Sequence, residues 1–178
     1  LLASAAEAVM AQSLDLARSA GAKTPSRAVF LGSGVLQGAA HESALKVLEL
    51  SAGAISTLWD STLGFRHGPK AIVDANTRIH VLVSGDAHTR RYDMDAANEI
   101  KAQYGANTVL TLGPNKHEVD LHVPTVGNDA WTAVLYVVAA QMQAIVWSEV
   151  LGLEIDNPFS GGTVRRVVEG VILYPMEQ

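Results

Sequence analysis

Three charged residues, Glu42, Lys46 and Glu49, stand four and three positions apart within one run of helix formers, Leu36 to Leu50. At 3.6 residues per turn they fall on one narrow stripe. A lysine between two carboxylates has two readings. One is an exposed ion-pair ladder worth about 0.2–0.5 kcal/mol per pair. The other is acid–base machinery, with Lys46 holding charge beside a carboxylate that moves a proton. Just upstream, Gly32-Ser33-Gly34 follows the apolar run Arg27 to Leu31. Glycines between a strand end and a helix N-terminus let the backbone approach an anion, and they also make a plain turn. Further on, Phe65-Arg66-His67-Gly68-Pro69-Lys70 sets a histidine before a Gly-Pro pair that fixes the backbone. His67 is there either a helix cap or a group that titrates near neutral pH. Ser84-Gly85-Asp86 offers donors to an anion, although Asp86 would oppose a phosphate.

Other chemistries are excluded. The dinucleotide fingerprint needs G-x-G-x-x-G, but Gln37 stands at the third position and Gly38 comes one place late. No acid stands about 20 residues on, where Leu50 to Gly53 fall, so a Rossmann enzyme is disfavoured. His41-Glu42-Ser43-Ala44-Leu45 begins like a zinc motif, yet Leu45 takes the second ligand's place. With no cysteine and no other ligand spacing among the six histidines, no metal site is expected. A net charge of −5 without a Lys/Arg run argues against a nucleic-acid partner.

These groups need a frame. Apolar strands are expected at Arg27–Leu31, Ala54–Trp59, Ile79–Val83 and Thr108–Leu112, with a short fifth in Glu118–Val123. Between them, helical spacing covers Ala3–Ala20, Leu36–Leu50, Arg66–Val73, Asp93–Tyr104 and Asp129–Leu151, with Ala40, Ala44, Val47 and Leu48 facing the sheet. Alternating strands and helices, with little polar alternation in the strands, indicate an α/β/α sandwich around a parallel sheet of about five strands. The chain's 178 residues suffice for one such domain. Its most apolar stretch, Val134 to Val146, is broken by Gln141 and Gln143 and reads as a buried helix rather than a membrane span. No signal peptide is evident, and a cytoplasmic location is expected. The chain opens inside a helical pattern without Met, as a fragment would.

Taken together, these segments resemble the SIS (sugar isomerase) domain family, in particular the second SIS domain of two-domain sugar-phosphate isomerases. The group of tagatose-6-phosphate ketose/aldose isomerases and galactosamine-6-phosphate deaminases shares Leu31-Gly32-Ser33-Gly34, Glu42-Ser43-Ala44-Leu45-Lys46-Val47-Leu48-Glu49-Leu50 and Gly64-Phe65-Arg66-His67-Gly68-Pro69-Lys70. It also shares Thr89-Arg90-Arg91-Tyr92-Asp93 and the tail Gly162 to Val171. The resemblance implies a flavodoxin-like fold over residues 27–153. Residues 1–26 would be a helical lead-in from an N-terminal SIS domain, and 154–178 a tail over the active site or a partner. It implies a homodimer, a sugar-phosphate substrate and no cofactor. Glu49 then corresponds to the base that shuttles a proton between C1 and C2, Lys46 to its helper, and His67 to a ring-opening histidine that reaches the neighbouring subunit. Gly32, Ser33, Gly34, Glu42, Arg66 and Arg166 are the implied substrate contacts. A SIS module that only binds a sugar phosphate, or only dimerises, is the alternative.

Overall fold

Ala28, Val29, Phe30 and Leu31 are all buried, with no polar position among them, because both faces of their strand, β1 (Arg27–Gly32), are covered. The computed structural model describes residues 1–19, 23–162, 164 and 170–176. Five parallel strands form one sheet in the order β2 (Ser56–Asp60), β1, β3 (Thr77–Leu82), β4 (Val109–Gly113), β5 (Leu121–His122). Helices α1 (Leu2–Ser19), α2 (Leu36–Leu50) and α5 (Asp129–Val150) cover one face. On the other lie α3 (Thr62–Phe65) and α4 (Ala87–Tyr104). Ala28, Phe30 and Leu82 point into the first layer beside Val9, Ala40 and Leu135. Val29, Leu31, Ile79 and Val81 point into the second beside Phe65, Ala97 and Ile100. This is the three-layer α/β/α sandwich expected from the sequence, with the 2-1-3-4-5 order of the flavodoxin-like type.

Two expectations are corrected. First, α4 begins at Ala87, six residues before Asp93, because the Asp86 carboxylate accepts the His88 and Thr89 amides and caps it. Second, the helix expected over Arg66–Val73 is instead α3, capped by Ser61, followed by a 3-10 turn over Pro69–Ile72. As expected, α5 runs unbroken through Gln141 and Gln143 for 22 residues, and its most apolar window, of mean hydropathy 1.4, makes it long and apolar enough to cross a membrane. It packs against α1 and α2 and buries Leu135, Tyr136, Ala139, Ala140, Ala144 and Trp147, which makes it the central core helix of this layer.

One core residue is out of keeping with its surroundings. His80 of β3 is 2% exposed, stacks on Phe30 with ring centroids 4.6 Å apart, and meets Trp147 edge-on at 5.9 Å. Neither ring nitrogen has a hydrogen-bond partner among the described residues. Burial, helped by the positive charge of Arg78, pulls its pKa from 6.5 down to about 3; the nearby Val29 backbone, outside hydrogen-bond geometry, opposes this weakly. The fold therefore holds the neutral ring, whereas the unfolded chain protonates near pH 6.5. This contribution is complete above that pH. It is lost at about 1.4 kcal/mol per pH unit below it, levelling near the folded pKa. In urea titrations between about pH 4 and pH 7, His80→Leu is expected to flatten the acid loss of stability by about one proton. Parallel slopes for the two proteins would contradict this.

Candidate active site

Lys46 Nζ lies 3.3 Å from Glu42 Oε1 and 2.6 Å from Glu49 Oε2. The lysine side chain is mostly buried, at 22% exposure, while the two carboxylates are nearly half exposed. The hydrogen bond to Glu49 is the largest influence on Lys46 and raises its pKa above the ordinary value, against the opposing effect of burial. Lys46 is therefore an ammonium at neutral pH. Glu49 Oε1 has no partner among the described residues, which leaves one carboxylate oxygen open to solvent or substrate. Behind the stripe, Ala40, Ser43, Ala44 and Val47 pack towards the sheet. Leu48 does not, and is 39% exposed. At about 100° per residue it lies roughly 110° from the centre of the buried face. With Leu45, and with His41 stacked on Trp59 at 4.4 Å, it forms an apolar shoulder beside the charged stripe.

The glycine turn lies at the other end of α2 from Lys46 and Glu49. Helix α2 starts at the C-terminal ends of the strands and runs back beside them, so Glu49, in its last turn, is about 20 Å from Leu36. A Cβ on Gly32 would sit 2.5 Å from the Leu36 carbonyl oxygen, so the close approach of α2 to β1 itself demands glycine there. Gly34 takes the left-handed conformation, φ +58°, that turns the chain into the helix.

Ser33 belongs to an internal network. Its hydroxyl donates to Asp93 Oδ1 at 2.6 Å, and the Thr62 hydroxyl donates to the same oxygen at 2.8 Å. The Ser84 amide donates to Asp93 Oδ2 at 2.9 Å. Asp93 is fully buried and so ties together the turns that follow β1, β2 and β3. Beside them opens a cleft of about 410 Å³ lined by Val35, Gly85, Asp86, Thr125 and Asp129. It lies where a doubly wound sheet reverses its strand order. The donors expected to hold an anion here are already in use. The Ser84 hydroxyl donates to Asp129 Oδ2, the Gly85 amide donates to Asp129 Oδ1 at 2.8 Å, and Asp86 caps α4.

The His67 segment packs with α4, across the sheet from α2. Arg66 donates to Asp95 at 2.9 Å and also pairs with Glu99; Lys70 meets Glu99 at 2.5 Å. The hydrogen bond to Asp95, more than any other influence, raises the pKa of Arg66. His67 is exposed, and its ring has no hydrogen bond among the described residues. Glu42, Lys46 and Glu49 are thus brought together, while the glycine turn and the His67 segment stand apart from them. Arg166 lies outside the described residues. The Asp93 network was missed in the sequence, although Asp93 closes the segment Thr89-Arg90-Arg91-Tyr92-Asp93.

The chain belongs to the SIS domain family, as comparison with known proteins shows, and its 2-1-3-4-5 parallel sheet is in keeping with that. The particular relatives are sugar-phosphate enzymes. D-galactosamine-6-phosphate deaminase AgaS of Shewanella sp. is 40% identical over 171 residues, covering 96% of this chain and 43% of that protein. The Escherichia coli protein of the same name is 41% identical over 158 residues, covering 85% and 41%. The crystal structure of tagatose-6-phosphate ketose/aldose isomerase from Escherichia coli superposes with a TM-score of 0.80 at 34% identity, covering 99% of this chain and 47% of that one. The chain therefore spans less than half the length of these relatives. No family model matches it.

Asp93→Ala would leave two hydroxyls and an amide without their acceptor, and is expected to cost about 3 kcal/mol of stability in chemical denaturation. Asp93→Asn, which keeps one acceptor oxygen, should cost less. A loss below about 1 kcal/mol for the alanine variant would show that water replaces the carboxylate.

Proposed function

We propose that this chain is the C-terminal SIS domain of a two-domain amino-sugar-phosphate deaminase/isomerase, of the type that converts galactosamine-6-phosphate to tagatose-6-phosphate. The observation that carries the reading is the Glu42–Lys46–Glu49 stripe, with one Glu49 oxygen free, in a chain that aligns over most of its length with proteins named for that deaminase.

Acting on the open-chain sugar, Glu49 removes the C2 proton, next to the C1 aldehyde, and returns a proton to C1. The intermediate is an enolamine, and reprotonation at C1 leaves an imine at C2. Water adds to that imine, ammonia departs, and the 2-keto sugar phosphate remains. Lys46, as an ammonium, offsets negative charge developing on the substrate oxygens. His67 opens the sugar ring. Its segment lies across the sheet from α2, which supports His67 acting on the sugar held at the Glu49 of a second subunit in a homodimer. The Asp129 and Asp86 carboxylates make the strand-end cleft of this half unfavourable for phosphate, which supports seating the phosphate on the N-terminal domain. The enzyme is cytoplasmic.

In the full-length protein, Glu49→Gln is expected to abolish exchange of the C2 proton with solvent while substrate binding stays within a few-fold of normal. Unchanged exchange would remove Glu49 as the base. Equal mixtures of Glu49→Gln and His67→Ala proteins, after subunit exchange, should regain about a quarter of the wild-type rate, since half the dimers then carry one intact site. Demonstrated heterodimers with no activity would rule out the shared site.

A further inference from the structure

A second cavity, of about 340 Å³, opens at the other end of the sheet, between the end of α1, the entrance to β1 and the last two turns of α5. Its polar lining includes Lys23, Thr24, Asn76, Arg78, Asn107 and Gln143, and Trp147 contributes an indole wall. Among the described residues, no Asp or Glu lines it. Arg78 is half-buried near the start of β3, on the same side of the strand as His80 two residues on. Its guanidinium has neither a hydrogen bond nor an ion pair among the described residues. That sets it apart from the other partly buried cations, since Arg27, Lys46, Arg66, Lys70 and Lys101 each have a carboxylate partner and Arg90 donates to the Gly85 carbonyl. Asp120 is the acid whose charge reaches Arg78, but its Oδ2 already accepts from the Thr111 amide and hydroxyl, both at 2.8 Å, and from Lys101 at 3.1 Å.

A desolvated guanidinium costs free energy until an anion meets it, and its planar fork matches the paired oxygens of a phosphate or carboxylate. Burial accordingly pulls the Arg78 pKa below its ordinary value, the strain an anion would relieve. We infer that the Arg78 cavity is an anion-binding site for a small phosphate-bearing metabolite, separate from the Lys46–Glu49 site. Arg78 and Lys23 supply the charge, the Asn76, Asn107 and Gln143 carboxamides supply neutral donors, and Trp147 backs the uncharged part of the ligand. The cavity volume is at the lower end of the range for small-molecule pockets, which suits a ligand of one ring or fewer. Helix α5 packs against both α1 and α2 and stands between this cavity and the acid–base stripe, so a ligand here touches none of the groups assigned to proton transfer.

The test uses the full-length protein and inorganic phosphate as the probe. Phosphate-dependent stabilisation is measured by thermal unfolding for the wild type, Arg78→Gln, Arg78→Lys and Lys23→Gln, each checked for wild-type circular dichroism. Arg78→Gln is expected to weaken one class of phosphate binding at least tenfold, with smaller losses for Arg78→Lys and for Lys23→Gln at the rim. A crystal soaked in tungstate, a dense phosphate analogue, should show the anion within hydrogen-bonding distance of the Arg78 guanidinium. Identical phosphate titrations for wild type, Arg78→Gln and Lys23→Gln would overturn the inference. So would a full-length crystal structure in which a carboxylate from the rest of the chain or a second subunit fills the cavity and pairs with Arg78. Neither result bears on Glu49, so this site and the proposed deaminase activity stand or fall separately.

Discussion

The end of the sheet where β1, β2 and β3 finish is held by one carboxylate. Asp93 accepts from Ser33, Thr62 and the Ser84 amide, and it is fully buried. A charge so placed is tolerable only because its donors come from three separate turns, and those turns are fixed in return. One consequence reaches α2. The turn that Ser33 anchors sets where α2 leaves the sheet, and the missing side chain of Gly32 lets the helix lie close against β1. From there the period of the helix alone decides which side chains face outward at its far end. The position of Lys46 and Glu49 is thus dictated from about 20 Å away, through a turn and three and a half turns of helix.

That geometry separates functions that sequence proximity would combine. The glycine turn and the Lys46–Glu49 pair belong to the same twenty residues, yet they occupy opposite ends of α2. His67 follows the stripe by eighteen positions but is carried on the other side of the sheet. The charged stripe is flanked by Leu45, Leu48 and Trp59, all more than a third exposed. A carboxylate and an ammonium bordered by bare apolar surface suit a site completed by another body. The chain's share of its relatives, less than half, is consistent with this.

Much of this was legible in the residues. The uninterrupted apolar strands announced a sheet covered on both sides, and the i, i+4, i+7 spacing of Glu42, Lys46 and Glu49 announced their convergence. What escaped depended on partners distant in the chain or on caps. The partners of Asp93 lie 60, 31 and 9 residues away, so no local pattern marks it. The first turns of α4, His88 to Tyr92, are polar and carry no apolar period; only the Asp86 cap reveals them. Leu48 looked like a core residue by type, and its angle on the helix placed it outside. Asp129 occupying the donors of Ser84 and Gly85 likewise joins residues more than forty positions apart.

The central claim is that Glu49 and Lys46 serve an amino-sugar phosphate, and its most direct test is chemical. Ammonia release by the full-length protein is measured in a coupled assay with galactosamine-6-phosphate and glucosamine-6-phosphate in parallel. The claim predicts ammonia from galactosamine-6-phosphate in step with formation of the 2-keto sugar phosphate, and at a lower rate, if any, from the gluco isomer. No ammonia and no keto sugar from either substrate, with a correctly folded dimer in hand, would contradict it.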